Sequence, residues 1–312
     1  MIDQRSSGPT EVLIVGMAHL SADVPDAAIA GGRDRLLAWR PDLIAIENLP
    51  GHLVVEYEER GGAFTDFPVG GAAVARQAAA TVAGLRPWSV WQARRVAVDA
   101  EAELTERVIG WLLAREPENA LLLPWREAEL PDAAVDALTD LEQSPSEGIR
   151  VGAAIARELG HPYLVHFDDH AGLELLEHCP SDWGEAEEAY FRTAHDQLRH
   201  PGWDGTDHDH WRKWVQAATA LYADFWEQLE SGGRVDYPDP SGVIRVRLAQ
   251  WRTRNLAMAA RLREATGLVP GGRVLAIVGW SHARPLRAAL ATDQHDLKLL
   301  VPGDLEIPEP AR

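Results

Sequence analysis

A chain of 312 residues, 46% of them hydrophobic, can bury a full globular core as one large domain or two small ones. Its 30 basic against 48 acidic residues give a formal net charge of -18, which argues against nucleic-acid binding and against docking on anionic membranes. The single cysteine, Cys179, excludes an intrachain disulfide framework. With a short polar N-terminus and no run of about 18 apolar residues, the chain is expected in the cytoplasm, away from membranes.

The first element in chain order is a buried strand, Val12-Leu13-Ile14-Val15, followed by an amphipathic helix over 23–39. Pro41-Asp42 then turns the chain into a second buried strand, Leu43-Ile44-Ala45-Ile46, which ends in Glu47-Asn48. Strand, helix and strand within fifty residues make the βαβ pattern of a parallel sheet. Residues 49–71 have no clean period and read as a loop over the sheet's carboxyl edge. Helices are expected over 72–83, 96–114, 132–141 and 148–159, the last closed by Gly160 at a C-terminal cap position. A third strand over 161–167 ends in Asp168-Asp169-His170. Residues 171–240, rich in Trp, Glu and His, read as a helical insertion or lid. A long helix over 242–266, a strand over 274–278, a helix over 284–291 and a last strand over 297–301 complete the chain. The expected fold is a single α/β domain over 10–304, a mainly parallel central sheet flanked by helices, with loose termini at 1–9 and 305–312.

Two Gly-x-x-His tetrads stand at opposite ends of this pattern. Gly16-Met17-Ala18-His19 follows the first strand, and Gly279-Trp280-Ser281-His282 follows the strand over 274–278. Ligands of open α/β sheets bind outside the carboxyl ends of the strands, and four such ends carry reactive side chains: His19, Glu47, the cluster Asp168-Asp169-His170, and His282. Two readings of that set stand side by side. His19 and His282 with Glu47 or Asp168 could hold a catalytic divalent metal, Mn, Zn, Fe or Co, that makes its bound water nucleophilic. Alternatively one histidine is a general base on water and Glu47 its partner, with no metal. Arg254 is expected to bind a substrate carboxylate or stabilise an oxyanion, and Asn255 to support it as a further substrate-binding residue. The Asp/His-rich stretch 204–210 reads as a helix cap rather than a metal cluster, and His166 as a packing residue of the third strand.

A strand into Gly16–His19, a second strand into Glu47, and the closing unit Arg254-Asn255-Leu256-Ala257-Met258-Ala259 before Val274–His282 together resemble the TraB/Tiki superfamily. The stretch Glu147-Gly148-Ile149-Arg150-Val151-Gly152-Ala153-Ala154-Ile155-Ala156, leading into His166-Phe167-Asp168, is similar to an uncharacterised bacterial branch of it. The resemblance implies an α/β fold with both histidines and Glu47 facing one cleft. It implies metal-dependent hydrolysis as in the Tiki proteases, metal-free activation of water by His and Glu as in the erythromycin esterases, or haem binding as in the ChaN proteins. Tiki and TraB proteins are membrane proteins, so their peptide-pheromone and Wnt substrates do not carry over to a chain without an apolar span. The expected activity is hydrolysis of a small soluble ester, amide, lactone or short peptide. The alternatives are a haem- or metal-binding protein without turnover and a catalytically inactive relic. A homo-oligomer is left open.

Overall fold

The computed structural model describes residues 8–66, 71–180, 183–202 and 209–305. Five strands form one all-parallel sheet in the order β3-β2-β4-β1-β5: β1 (Thr10–Met17), β2 (Leu43–Ile46), β3 (Val165–His166), β4 (Arg273–Gly279) and β5 (Leu297–Leu300). The fold is α/β, as the βαβ pattern predicts. The last long strand, β4, inserts between β1 and β2, with Met17 opposite Gly279 and Ile46 opposite Ile277. The carboxyl ends of β3, β2, β4 and β1 therefore stand in a row.

Both faces of the sheet are covered, which is why its strands read as unbroken apolar runs. Alternate residues serve opposite cores. Leu13, Val15, Ile44, Ile46, Leu275 and Ile277 pack with Trp111 and Trp214 on one face. Val12, Ile14, Ala45, Val274, Ala276 and Val278 pack with Met258, Leu262 and Leu286 on the other. Residues 171–240, as far as they are described, hold helices only. They do not all lie over the carboxyl edge. The helix His210–Ala217 buries Trp211 and Trp214 in the main core, and Gly32 makes room for it, since a Cβ there would sit 2.3 Å from the Trp214 ring. No helix among the described residues is long and apolar enough to cross a membrane.

Four elements differ from the sequence expectation. The expected loop at 49–71 contains the helices Gly51–Arg60 and Ala63–Asp66, and its residues 67–70 lie outside the described ones. Leu53, Val54 and Tyr57 form the buried stripe of the first, and the flanking Pro50 and Gly61, loop signals in sequence, act as its cap residues. The expected helix over 96–114 is two helices, Val90–Val98 and Leu104–Leu113. Asp99 turns extended between them, and Gly110 lets the second approach the first so closely that a Cβ would lie 2.8 Å from the Ala93 carbonyl oxygen. The third strand keeps only two ladder residues, although Phe167 N–H and Asp168 N–H continue its bonding to the Ile46 and Asn48 carbonyls. The helix expected over 284–291 begins at Trp280, which places His282 in its first turn. The expected Gly160 cap is present, with a left-handed φ of 71°.

The segment 148–159 opens as one wide π-helical turn, Gly148–Ala153, before regular helix resumes. Gly152 lies against β2, and a Cβ there would sit 2.8 Å from Ile46 Cγ2. Because Ile46 is β-branched and fully buried, it has little room to yield. Gly152→Ala is expected to lower unfolding stability by about 1–3 kcal/mol through overpacking, measurable by denaturant titration. Stability equal to the parent chain would mean that the turn can slide along β2.

Candidate active site

The two tetrad glycines do different jobs. Gly16 lets the helix Trp280–Ala291 settle on the end of β1, since a Cβ there would lie 2.9 Å from Trp280 Cα. Gly279 faces the cleft. A Cβ on it would lie 3.3 Å from Glu47 Oε2, 3.7 Å from His282 Cδ2 and 3.9 Å from His19 Cε1. One bare backbone position is thus surrounded by the three side chains that the motifs predict. The cleft around it has a volume of about 400 Å³ and is also lined by Asp168, Glu147 and Arg254.

Arg254 is the electrostatic centre. It rides on the helix Val243–Thr266 and donates from Nε and Nη2 to both oxygens of Asp168, each at 3.0 Å. Nη2 also donates to Glu47 Oε1 at 2.9 Å. Glu47 Oε2 accepts the Gly279 N–H at 2.5 Å, where the positive end of the Trp280–Ala291 helix favours negative charge. Burial dominates at Glu47 and pushes its carboxyl up to about 7, against the pull of Arg254. Burial also opposes ionisation of Asp168, but Arg254 and His170, whose Nε2 donates to Oδ2 at 3.1 Å, outweigh it and hold the carboxyl well below the usual range. Burial works against the charge on Arg254, and the two carboxylates more than restore it.

The two histidines are set in opposite states. His282 is buried, and its Nδ1 lies 2.8 Å from Asn255 Oδ1. Asn255 Nδ2 donates to the Trp251 carbonyl at 2.8 Å. That bond fixes which way the amide faces, so His282 Nδ1 carries the proton and Nε2 is left as an acceptor. Nε2 lies 3.4 Å from Glu47 Oε1, and the Trp251 ring stacks on the imidazole at 4.3 Å. Burial, followed by the Arg254 charge, lowers the pKa of His282 well below that of a free imidazole. His19 is 84% exposed along its side chain, and its Nδ1 meets Glu147 Oε1 at 3.0 Å. The hydrogen bond to Glu147 raises the His19 pKa.

All six residues named from sequence therefore converge. His19, Glu47, Asp168, Arg254 and His282 line the cleft, and Asn255 stands directly behind His282. Arg254 is spent largely on Asp168 and Glu47, which leaves Nη1 as the nitrogen bonded to neither carboxylate. The sequence reading gave no role to Glu147 or Trp251, and named His170 only as part of the cluster Asp168-Asp169-His170 at the end of the third strand. Glu147 stands just before the π-helical turn and opens the stretch quoted for the family resemblance, but nothing in that stretch marks it as the partner of His19. His170 had a signal in its place two residues after Asp168, and Trp251 in lying one helical turn before Asn255. His166 is buried with Nδ1 3.1 Å from the Leu49 carbonyl oxygen, a packing role as expected. Of the stretch 204–210, residues 204–208 lie outside the described ones. Asp209 caps the helix His210–Ala217 by accepting from the Arg212 N–H at 3.3 Å.

Among the described residues no group of three or more His, Cys, Asp or Glu side chains is placed to hold a metal ion. The reason is visible at Arg254. Both Asp168 oxygens and Glu47 Oε1 turn onto the guanidinium, and Glu47 Oε2 turns onto a backbone N–H. A fixed cation stands where a metal would need those oxygens, so as arranged the residues do not fit the divalent ion of the first sequence reading. Compared with models of known protein families, with curated proteins and with solved structures, the chain matches none. The TraB/Tiki resemblance rests on the motifs alone.

Proposed function

We propose that the chain is a metal-free hydrolase of a small soluble ester, amide, lactone or short peptide, working in the cytoplasm with Glu47 and the two histidines. The observation that carries this reading is the split between the histidines. His282 is neutral with an acceptor nitrogen, His19 is held towards its protonated form by Glu147, and Glu47 lies between them with a pKa of about 7. Titratable groups pushed apart in one cleft mark an acid and a base.

Ionised Glu47 and His282 Nε2 together hold a water molecule, and Glu47 takes its proton as the oxygen attacks the substrate carbonyl carbon. Arg254 Nη1 and the positive end of the Trp280–Ala291 helix stabilise the oxyanion. The bond to the leaving alkoxide or amine then breaks, and protonated His19, its Nδ1 on Glu147, donates the proton that the leaving group needs. Proton return from Glu47 to His19 through solvent resets the site.

A bell-shaped pH profile follows, with an acid limb near pH 7 from Glu47 and an alkaline limb from His19. In Glu147→Gln the carboxylate that favours the imidazolium is gone, so His19 loses its proton at lower pH and the alkaline limb moves down. The test is hydrolysis of a panel of nitrophenyl esters, lactones and dipeptides by purified protein, followed by pH profiles of the parent and this variant. A shift of the acid limb instead would make His19 the base. Stoichiometric Mn, Zn, Fe or Co by elemental analysis, or a Soret band with no turnover, would replace this mechanism with metal hydrolysis or haem binding.

A further inference from the structure

Glu116, Glu118 and Asn119 are buried, and the mechanism uses none of them. They stand at or in the short helix Pro117–Ala120, and none of them lines the cleft. Each one bonds to a stretch of chain that carries Glu47 or Asp168. Glu118 Oε1 accepts from Nδ2 of Asn48, the residue after Glu47, at 2.6 Å. Glu116 Oε1 accepts the Gly51 N–H at 3.2 Å, and its Oε2 is held by Arg94 Nε and Asn119 Nδ2, each at 3.3 Å. Asn119 pairs with the chain just before β3, accepting the Leu164 N–H at 2.6 Å and donating to the Leu164 carbonyl at 3.3 Å. The segments are pressed together. A Cβ on Gly51 would lie 1.6 Å from the Ala114 carbonyl oxygen, so only glycine fits there.

Asn48 is where this clamp meets the site. Its N–H bonds back to the Ile46 carbonyl at 2.8 Å, and its own carbonyl accepts the Asp168 N–H at 3.0 Å. The backbone of Asn48 therefore joins the end of β2 to Asp168, and Glu47 sits in the turn between Ile46 and Asn48. The bond to Glu118 ties that turn to the layer outside the sheet. Glu47 has to reach Arg254 at 2.9 Å and the Gly279 N–H at 2.5 Å at the same time. A turn displaced by about 1 Å cannot keep both bonds, and misplacement on that scale can cost about 10²-fold in rate.

We propose that Glu118 is a positioning residue, holding Asn48 so that Glu47 reaches Arg254 and the Gly279 N–H together. That the held carboxylate is a catalytic base rests on the hydrolase reading, whereas the holding does not. The role needs an acceptor at Glu118 and no charge. Burial pushes the Glu118 carboxyl up, towards its neutral form. His166, whose Nδ1 donates to the Leu49 carbonyl at 3.1 Å, turns its other nitrogen towards Glu118 Oε2 at 3.6 Å. Glutamine offers an oxygen to Asn48 and an N–H to that nitrogen, which makes it the conservative variant.

The Gly279 amide proton reports the Glu47 bond without any substrate. In full-length protein with isotope-labelled glycine, Glu118→Leu and Asn48→Ala are each expected to move the Gly279 proton resonance upfield as that bond lengthens. Glu118→Gln is expected to leave it at the parent position. If Glu118→Leu does not fold, Asn48→Ala, at a half-buried position, carries the test. On any substrate the protein turns over, the same two variants are expected to lower kcat roughly 10- to 100-fold with KM nearly unchanged, and Glu118→Gln to keep the parent kcat. An unmoved Gly279 resonance in the folded variants, or a loss in Glu118→Gln equal to that in Glu118→Leu, overturns the inference. A moved resonance in a protein that hydrolyses nothing keeps the positioning role and removes the hydrolase. Turnover with an unmoved resonance and an unchanged kcat does the reverse.

Discussion

Glu47→Gln is expected to reduce turnover by roughly 10²–10⁴-fold, the usual contribution of a positioned general base, while leaving the fold intact. Glutamine keeps an oxygen for Arg254 or the Gly279 N–H but accepts no proton from water. The same substitution has a stability signature that needs no substrate. The ordinary value of the carboxyl is 4.5, and burial raises it to about 7 in the folded chain. Between those values the native state holds a proton that the unfolded state releases, so this group's contribution is complete below about pH 4.5 and is lost as pH rises through 7. Relative to the parent chain, Glu47→Gln should therefore gain stability between pH 5 and pH 8. Denaturant titrations at the two pH values measure this directly. A difference between parent and variant that does not change with pH would show that Glu47 titrates as an ordinary surface carboxyl, and its role as a base near neutrality would fall with it.

Arg254→Met is expected to lower stability by about 3–5 kcal/mol, because it leaves Asp168 and Glu47 buried together without their counter-charge. The double variant Arg254→Met with Asp168→Asn should recover a substantial part of that loss, since an uncompensated buried charge costs more than the missing side-chain volume. Equal stability of single and double variants would assign the effect to packing of the arginine stem. Both variants are expected to be inactive, because neither keeps the Nη1 that meets the oxyanion.

Much of the site was legible because its residues sit at strand ends, where a short apolar run followed by glycine, histidine or glutamate is a local pattern. The sheet's parallel character and both core faces were legible for the same reason, since Val12–Val15 and Val274–Val278 are long enough to bury on two sides. Elements governed by contacts distant in sequence were not legible. The helix Gly51–Arg60 was hidden by the proline and glycine at its ends, and the break after Val98 by packing against Gly110. The state of each histidine was equally hidden. Nothing near His19 announces Glu147, 128 residues away, and nothing near His282 shows that Asn255, 27 residues back, holds its Nδ1 proton.

By itself the sequence determined that there would be an α/β sheet, that four of its strand ends would carry His19, Glu47, Asp168 and His282, and that Arg254-Asn255 would accompany them. Periodicity and punctuation are local properties and survive in one dimension. Only the tertiary structure decided that β4 lies between β1 and β2, which sets the two tetrads side by side. Only the tertiary structure placed Arg254 across Asp168 and Glu47, where its charge takes the oxygens that a metal would need. Strand order and ion pairing are settled by burial and Coulomb energy summed over residues from 86 to more than two hundred positions apart, and no local window of the chain contains both partners.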